Sequence, residues 1–197
     1  MDARAFEYLE KAANLMLVFC AGDATVKATL CRAPLLRSLL QLALEVDLVV
    51  VRRKLVTAVR YLSTEPDALE PLEAAGAIPR LVAVLGLSPE DTELKQSALT
   101  TLYHLCKTNS QCQEQAVVAG LVPHLCTLLS APPGLLPALS TRLLCALAAT
   151  NQRVRQVRAS PNPTRRLIHC MCAEPRWVVE QNRLLPKTER EAILPAP

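Results

Sequence analysis

Aromatic residues are scarce in this chain of 197 residues: they make up 3%, whereas hydrophobic residues as a whole make up 51%. A hydrophobic core must therefore be built from Leu, Ala and Val, which suits closely stacked helices. Glycine is also rare, with 5 occurrences, and no segment alternates apolar and polar residues for long. Because strands of a half-buried sheet need that alternation, the sequence excludes a β protein and predicts an all-α fold.

Long uninterrupted apolar runs are also missing. The longest apolar stretches contain charged residues such as Arg37 and Glu45, or are broken by Pro132 and Pro133. Neither kind reaches the ~20 apolar residues that cross a bilayer as a helix. The first residues, Met1–Arg4, lack the pattern of a secretory signal peptide. We therefore expect no membrane insertion and no secretion.

The eight cysteines do not form the pattern of a disulfide framework. Four of them lie inside apolar helical runs, where a free cysteine behaves as a small hydrophobe: Cys20, Cys106, Cys126 and Cys145. This favours a reducing compartment, and a cytoplasmic location is predicted. Cys170 and Cys172 are spaced C-x-C, unlike the C-x2-C of zinc ribbons, so neither a metal nor a cofactor is expected.

What the chain does contain is an internal repeat. The string AGAIPRLVAVL at Ala75–Leu85 returns as AGLVPHLCTLL at Ala119–Leu129, and a longer apolar segment follows each copy. The period of about 43 residues lies in the range of armadillo and HEAT solenoids. No single unit of such a solenoid buries its own apolar face, so neighbouring units must stack.

Each repeat divides into a short, a medium and a long predicted helix, which is the armadillo pattern. The sequence thus predicts an armadillo-type right-handed α-solenoid of about three to four repeats over residues 1–159. In the second full repeat, Ser88 is expected to cap the long helix, with Pro89 at its first position. The repeat pattern is lost near Ser160, and residues 160–197 are predicted to be a basic, Pro- and Arg-rich, weakly ordered tail.

The repeats also carry a more specific resemblance. The opening FEYLEKAANLMLVFCAGDATVKATL, the segment at Gln113–Ala116 and the run at Gly120–Leu125 resemble the C-terminal armadillo region of one kinase family. These are the plant mitogen-activated-protein-kinase-kinase-kinase epsilon proteins and the fungal septation-network kinases. The resemblance extends from about Phe6 to Val157. It implies a helical scaffold that belongs by descent to a serine/threonine kinase.

No kinase motif accompanies this resemblance. A kinase requires a Gly-rich loop, a strand lysine, H-R-D and D-F-G. In this chain no Asp precedes Phe-Gly, none of the three His precedes Arg-Asp, and the five Gly are scattered. We therefore expect a non-catalytic interaction scaffold. A fragment of a kinase that keeps part of its reaction is the alternative.

The armadillo resemblance also indicates where a partner binds. Peptide-binding armadillo proteins line their concave groove with a Trp, and an Asn four residues later, on each long helix. The corresponding positions hold other residues in this chain, and with the end of one helix they give a predicted groove of Arg60, Thr100, His104, Lys107 and Arg142. Such a surface favours an acidic or phosphorylated protein partner.

Two other interpretations remain open at this stage. The predicted groove residues could form only a solvated face. Residues 153–197 contain nine basic and four acidic residues, a net charge of +5, which suggests nucleic acid as a ligand. The tail lacks aromatic interleaving and a defined nucleic-acid module, so nucleic-acid binding is not expected.

Overall fold

The computed structural model describes residues 3–87, 90–131 and 134–150. The predicted tail at 160–197, and with it the boundary at residue 159, lies outside the described residues. Within them the chain is entirely helical, with a 3-10 turn at Pro66–Ala68 and these α-helices: α1 (Ala3–Cys20), α2 (Ala24–Leu30), α3 (Ala33–Glu45), α4 (Val49–Leu62), α5 (Leu69–Ala74), α6 (Ala77–Leu87), α7 (Thr92–Cys106), α8 (Ser110–Val118), α9 (Leu121–Leu129) and α10 (Leu135–Thr150). The all-α prediction is confirmed.

The helices form three units that repeat one arrangement. Each unit has a first, a second and a third helix: α2–α3–α4, α5–α6–α7 and α8–α9–α10, with α1 preceding them as a lone third helix. Third helices pack against one another in chain order, from α1 through α4 and α7 to α10. Second helices α3, α6 and α9 pack in a parallel series. The molecule is therefore a solenoid in which each unit contacts its neighbours.

Glycine and polar caps set the helix boundaries within the units. Gly76 and Gly120 adopt φ values of +68° and +85° directly before the second helices, a conformation that costs glycine little. Asp23 accepts a hydrogen bond from the Val26 amide at 3.0 Å and caps α2. Asn109 accepts from the amides of Gln111 and Cys112 and caps α8. The turn that reverses the chain between first and second helices is thus encoded locally.

The start of α7 differs from the prediction. The helix begins at Thr92, and its cap is Asp91, not Ser88; the carboxylate of Asp91 accepts from the Leu94 amide at 3.0 Å. The same carboxylate accepts from Nε of Arg53 on α4 at 2.9 Å. An aspartate at this position accepts from an orphan amide and pairs its charge with a neighbouring guanidinium, whereas a neutral serine hydroxyl could not form the ion pair. The prediction of the Ser88 cap is wrong.

The core consists of aliphatic side chains, as the shortage of aromatic residues requires. In the described part of the chain the buried apolar residues are Leu, Ala, Val, Ile and Cys, without any Phe, Tyr or Trp. Leu102, Leu105, Leu125 and Leu128 are all buried, which confirms the repeat alignment that predicted it. Buried Arg52 donates to the carbonyl oxygens of Ala43 and Val46, so it satisfies acceptors at the end of α3.

None of the helices in the described ranges is long and apolar enough to cross a membrane.

Replacing Leu105 by alanine tests the assigned repeat pattern. Leu105 is 2% exposed in the middle of the solenoid, so the substitution leaves a cavity and should lower the free energy of unfolding by about 2–5 kcal/mol. Urea denaturation followed by circular dichroism measures the change. Val118→Ala is the control, because Val118 is 80% exposed and should change stability by less than about 0.5 kcal/mol. Equal midpoints for the two variants would contradict the assignment.

Candidate interaction surface on the third helices

The third helices α1, α4, α7 and α10, here called the third-helix ladder, are fixed to one another by polar contacts. Lys54 Nζ on α4 donates to Glu10 Oε1 on α1 at 2.6 Å. Thr57 Oγ1 on α4 lies 3.2 Å from Ser97 Oγ on α7. These contacts fix neighbouring third helices side by side, with the contacting residues displaced by two to four positions from the corresponding ones.

One end of the ladder is occupied by paired charges. Arg53 on α4 contacts Asp91 at 2.9 Å and Glu93 at 3.0 Å at the start of α7. The hydrogen bond to Asp91 is the largest of the effects that raise the pKa of Arg53. Acidic side chains at a helix N-terminus also face the positive end of the helix dipole. At this end of the ladder the charged side chains are therefore engaged with one another.

Three cations lie toward the other end of the ladder: Arg60 near the end of α4, Lys107 at the end of α7 and Arg142 in α10. We call these three residues the basic cluster. The Arg60 guanidinium carbon lies 4.7 Å from the centre of the Tyr61 ring. The Arg142 guanidinium carbon lies 5.0 Å from the centre of the Tyr103 ring, across the α7–α10 contact. Stacking on an aromatic ring fixes the plane of a guanidinium group, and its N–H donors lie along the edge of that plane.

His104 lies beneath this cluster, with only 4% of its surface exposed. Its Nδ1 is 2.9 Å from Ser63 Oγ, at the end of α4. The Ser63 hydroxyl donates its proton to the Arg60 carbonyl oxygen at 2.7 Å. Since that hydroxyl has only one proton, Ser63 Oγ is the acceptor toward His104, and Nδ1 carries the ring proton. Nε2 is buried and has no hydrogen-bond partner within the described residues.

Burial and the neighbouring cations keep His104 neutral. The pKa of His104 is lowered from 6.5 to about 4, first by burial and then by Lys107, with smaller contributions from Arg60 and Arg142. A hydrogen bond with Ser63 acts in the opposite direction. All three members of the basic cluster therefore act on one imidazole, which shows that they share an electrostatic environment. At neutral pH the three cations of the basic cluster therefore lie over a neutral histidine.

The five groove residues predicted from the sequence thus divide into two sets. Arg60 and Arg142 are half-buried and Lys107 is exposed, so these three side chains reach the surface. Thr100 is 9% exposed and His104 4%, which places both beneath the surface. The Thr100 hydroxyl donates to the Gln96 carbonyl oxygen at 2.8 Å within its own helix. Thr100 and His104 can support the cluster but offer little area to a partner.

Sequence reasoning missed Tyr61, Tyr103 and Ser63, which position the cluster. The two tyrosines carry the guanidinium groups, and Ser63 orients the imidazole. A signal was present, because tyrosine occurs only three times in the chain and all three lie on third helices, with Tyr61 and Tyr103 near the ends of α4 and α7. The Ser63 contact crosses between units and has no local sequence pattern.

The cysteines of the described residues form a separate set of buried groups. Burial is the main cause that raises the pKa of Cys20 to about 11 and those of Cys106 and Cys112 to about 12. These thiols stay protonated at neutral pH and are poor nucleophiles. Nowhere in the part of the chain that the structure describes do three His, Cys, Asp or Glu side chains group as metal ligands would.

The chain is similar to part of a much longer plant protein and to designed solenoids. It is 37% identical over 155 residues to MAP3K epsilon protein kinase 1 of Arabidopsis thaliana, a match that covers 77% of this chain and 11% of the kinase. No protein-family model matches.

A computationally designed armadillo repeat protein for modular peptide recognition superposes with a TM-score of 0.67 at 20% identity, over 97% of this chain and 74% of the design. A designed armadillo repeat protein in complex with the peptide (KR)4 gives a TM-score of 0.66 at 15% identity, over 96% of this chain and 85% of the design.

These comparisons establish descent and fold. The chain is homologous to a C-terminal, non-kinase region of the MAP3K epsilon kinases, and it spans about a tenth of the length of the relatives that it matches. The resemblance predicted from Gln113–Ala116 and Gly120–Leu125 is confirmed. The likeness to designed solenoids confirms the armadillo architecture.

Lowering the pH should destabilise the fold through His104. Its pKa is about 4 in the folded state and about 6.5 in the unfolded state, so the unfolded chain binds the extra proton between these values. The contribution of His104 to stability is complete above pH 6.5, falls as the pH drops toward 4, and is constant below. Between pH 7 and pH 5 the loss should be about 2 kcal/mol.

Urea denaturation of the wild type and of His104→Gln at both pH values measures this loss. Acidic groups titrate in both proteins, so the difference between the two proteins isolates His104. The variant should lose less stability between pH 7 and pH 5 than the wild type. Parallel curves for the two proteins would show that His104 does not titrate in this way.

Proposed function

We propose that this chain, homologous to a C-terminal region of the MAP3K epsilon kinases, is a non-catalytic scaffold whose third-helix ladder binds an acidic or phosphorylated segment of a partner protein. The observation that carries the proposal is the basic cluster of Arg60, Lys107 and Arg142, gathered from three successive units around one neutral histidine. A row of cations across several units suits an extended anionic chain better than a small molecule.

The sign of the charge distinguishes this surface from that of a structural neighbour. The designed armadillo protein in complex with (KR)4 binds a basic peptide. The cluster here is positive, and the acidic side chains on the described parts of the ladder lie in other contacts: Glu7 with Lys11, Glu10 with Lys54, and Asp91 and Glu93 with Arg53. A basic peptide would meet like charge at the cluster, whereas a carboxylate or phosphate would meet donors held over tyrosine rings.

The predicted groove residues take different roles in this proposal. Arg60, Lys107 and Arg142 contact the partner. Thr100 and His104 form the floor: His104 fixes the end of α4 against α7 through Ser63, and its neutrality avoids a fourth positive charge in a buried position. The floor keeps the spacing of the cations constant, which lowers the entropy cost of binding.

The same proposal places the chain in the cytoplasm and assigns it no reaction. All six cysteines of the described residues are free, as a reducing compartment allows. The kinase activity of the relatives belongs to proteins about nine times as long as the matched segment. Equilibrium dialysis with labelled ATP and Mg²⁺ separates the alternatives, because saturable micromolar binding would favour a kinase fragment over a scaffold.

Reversing two charges of the cluster tests the binding surface. Arg60→Glu with Arg142→Glu should weaken binding of a fluorescein-labelled phosphoserine peptide by tenfold or more, because guanidinium contacts carry much interface energy. Fluorescence anisotropy measures the affinity, with an oligo-glutamate peptide and (KR)4 as further probes. The ratio of the two acidic probes distinguishes phosphate from carboxylate recognition. Circular dichroism should show unchanged helix content, since both side chains reach the surface.

The matched control is Arg32→Glu with Arg37→Glu, which changes the net charge equally at exposed positions on the first unit. The control should bind the acidic probes as the wild type does. Equal affinities for all three proteins would exclude the third-helix ladder as the binding site. Equal weakening by both double variants would show that net charge, and not this cluster, attracts the peptide.

A further inference from the structure

One ring nitrogen of His104 has no partner in the interior of the third-helix ladder. The residue is 4% exposed, and its Nε2 is buried and forms no hydrogen bond within the described residues. Nearly all buried polar atoms in folded proteins have a hydrogen-bond partner, so a buried unpaired nitrogen requires an explanation. Because the ring lies beneath the basic cluster, a ligand of that cluster is a partner within reach.

The other ring nitrogen of His104 is fixed in place. Nδ1 lies 2.9 Å from Ser63 Oγ, and the Ser63 hydroxyl donates to the Arg60 carbonyl oxygen at 2.7 Å. The neutral ring therefore carries its proton on Nδ1 and donates it to Ser63. Protonation of the ring would leave this chain of hydrogen bonds intact and would place the new proton on Nε2. Within the described residues no acceptor contacts that position.

The charged groups that act on the ring are all positive. The pKa of His104 is lowered to about 4, first by burial and then by Lys107 at the end of α7, with further contributions from Arg60 of α4 and Arg142 of α10. Helices α5, α6 and α8 also pack against α7, and none of their described residues places a charge that acts on the ring. An anion bound among the three cations would oppose their effect and would favour the imidazolium form.

We propose that the basic cluster binds a phosphate monoester of a partner protein, and that His104 takes up a proton on binding and donates Nε2–H to a phosphate oxygen. This inference rests on the proposed function, because it concerns the same surface. The proton comes from the solvent, and no covalent bond of the ligand changes. Both N–H groups of the imidazolium are then paired, Nδ1–H with Ser63 and Nε2–H with the phosphate.

The number of donors favours phosphate over a carboxylate. Arg60, Lys107, Arg142 and the protonated ring of His104 together provide four positively charged donor groups. A phosphate monoester offers three acceptor oxygens and nearly two negative charges at neutral pH, whereas a carboxylate offers two oxygens and one charge. The dianion therefore compensates more of the positive charge that keeps the ring neutral in the unbound protein.

The side chains that lie over His104 are held in a way that lets them move. Arg60 and Arg142 are half-buried, and their guanidinium carbons lie 4.7 Å and 5.0 Å from the centres of the Tyr61 and Tyr103 rings. A contact between a cation and a ring at a partly exposed site is weak, whereas an arginine–phosphate pair is strong. A phosphate group can therefore draw the guanidinium groups toward itself and reach the imidazole between them.

Isothermal titration calorimetry of the full chain with a phosphoserine peptide tests the proposal, because the binding enthalpy in buffers of different ionisation enthalpy gives the number of protons taken up. At pH 6.5 the wild type should take up at least about half a proton more per bound peptide than His104→Gln does. Titration of the phosphate itself occurs with both proteins and cancels in the difference. A glutamine side chain can donate to the phosphate but does not titrate, so the variant should still bind.

The matched control is His124→Gln, which removes a half-buried histidine from α9. Its proton uptake should equal that of the wild type. If His104→Gln fails to fold, long-range ¹H–¹⁵N NMR of the wild-type histidine rings gives the same information. The ring that is protonated on Nδ1 alone in the unbound protein should become protonated on both nitrogens when the peptide is added.

Failure of this inference can be told apart from failure of the proposed function. A wild type that binds neither the phosphoserine peptide nor the same peptide with glutamate at that position would overturn both. Binding of the phosphoserine peptide with equal proton uptake by the wild type and His104→Gln, or with an unchanged ring in the NMR spectrum, would overturn the role of His104 alone. Equal affinities for the two peptides would overturn the assignment of phosphate, while the proposed function would stand.

Discussion

The packing of each third helix on the third helix of the preceding unit is the contact on which the rest of the structure depends. The core contains only aliphatic side chains and cysteine in the described residues, and no unit could enclose such a core alone. The same contact brings Ser63 to His104 and Tyr103 to Arg142, so the candidate binding surface exists only where units stack. Stability and recognition are therefore coupled, because a substitution that loosens the stacking also changes the spacing of the cations.

Local sequence encodes the helices and their connections well. Gly76 and Gly120 stand at the only two positive φ values of the described backbone, and the repeated AG-x-x-P strings predicted both turns. The buried leucines followed from the same period. The start of α7 was missed because serine and aspartate are equally good caps by local rules, whereas Asp91 also accepts a hydrogen bond from Arg53, which is 38 residues away in the chain. Local capping rules carry no information about such a partner.

The candidate surface could be predicted in outline only. The period and the helix lengths indicate which residues of the long helices lie near one another, and in the structure Lys107, Arg60 and Arg142 all lower the pKa of His104. The depth of each side chain could not be predicted, because it depends on how closely α4 and α7 approach. Their approach buries His104 and makes it neutral, although its sequence neighbours Tyr103 and Lys107 reach the surface. Burial thus extends to lower pH the range over which His104 stays neutral.

Corresponding positions on three of the third helices show how one repeat supports different surfaces. Counted back from the helix ends, Val18 of α1, Arg60 of α4 and His104 of α7 occupy the same place. Val18 is 68% exposed, Arg60 is half-buried on Tyr61, and His104 is 4% exposed beneath the basic cluster. The backbone of the repeat is preserved, and the unit that lies over each position determines whether an apolar, a cationic or a neutral polar side chain is stable there.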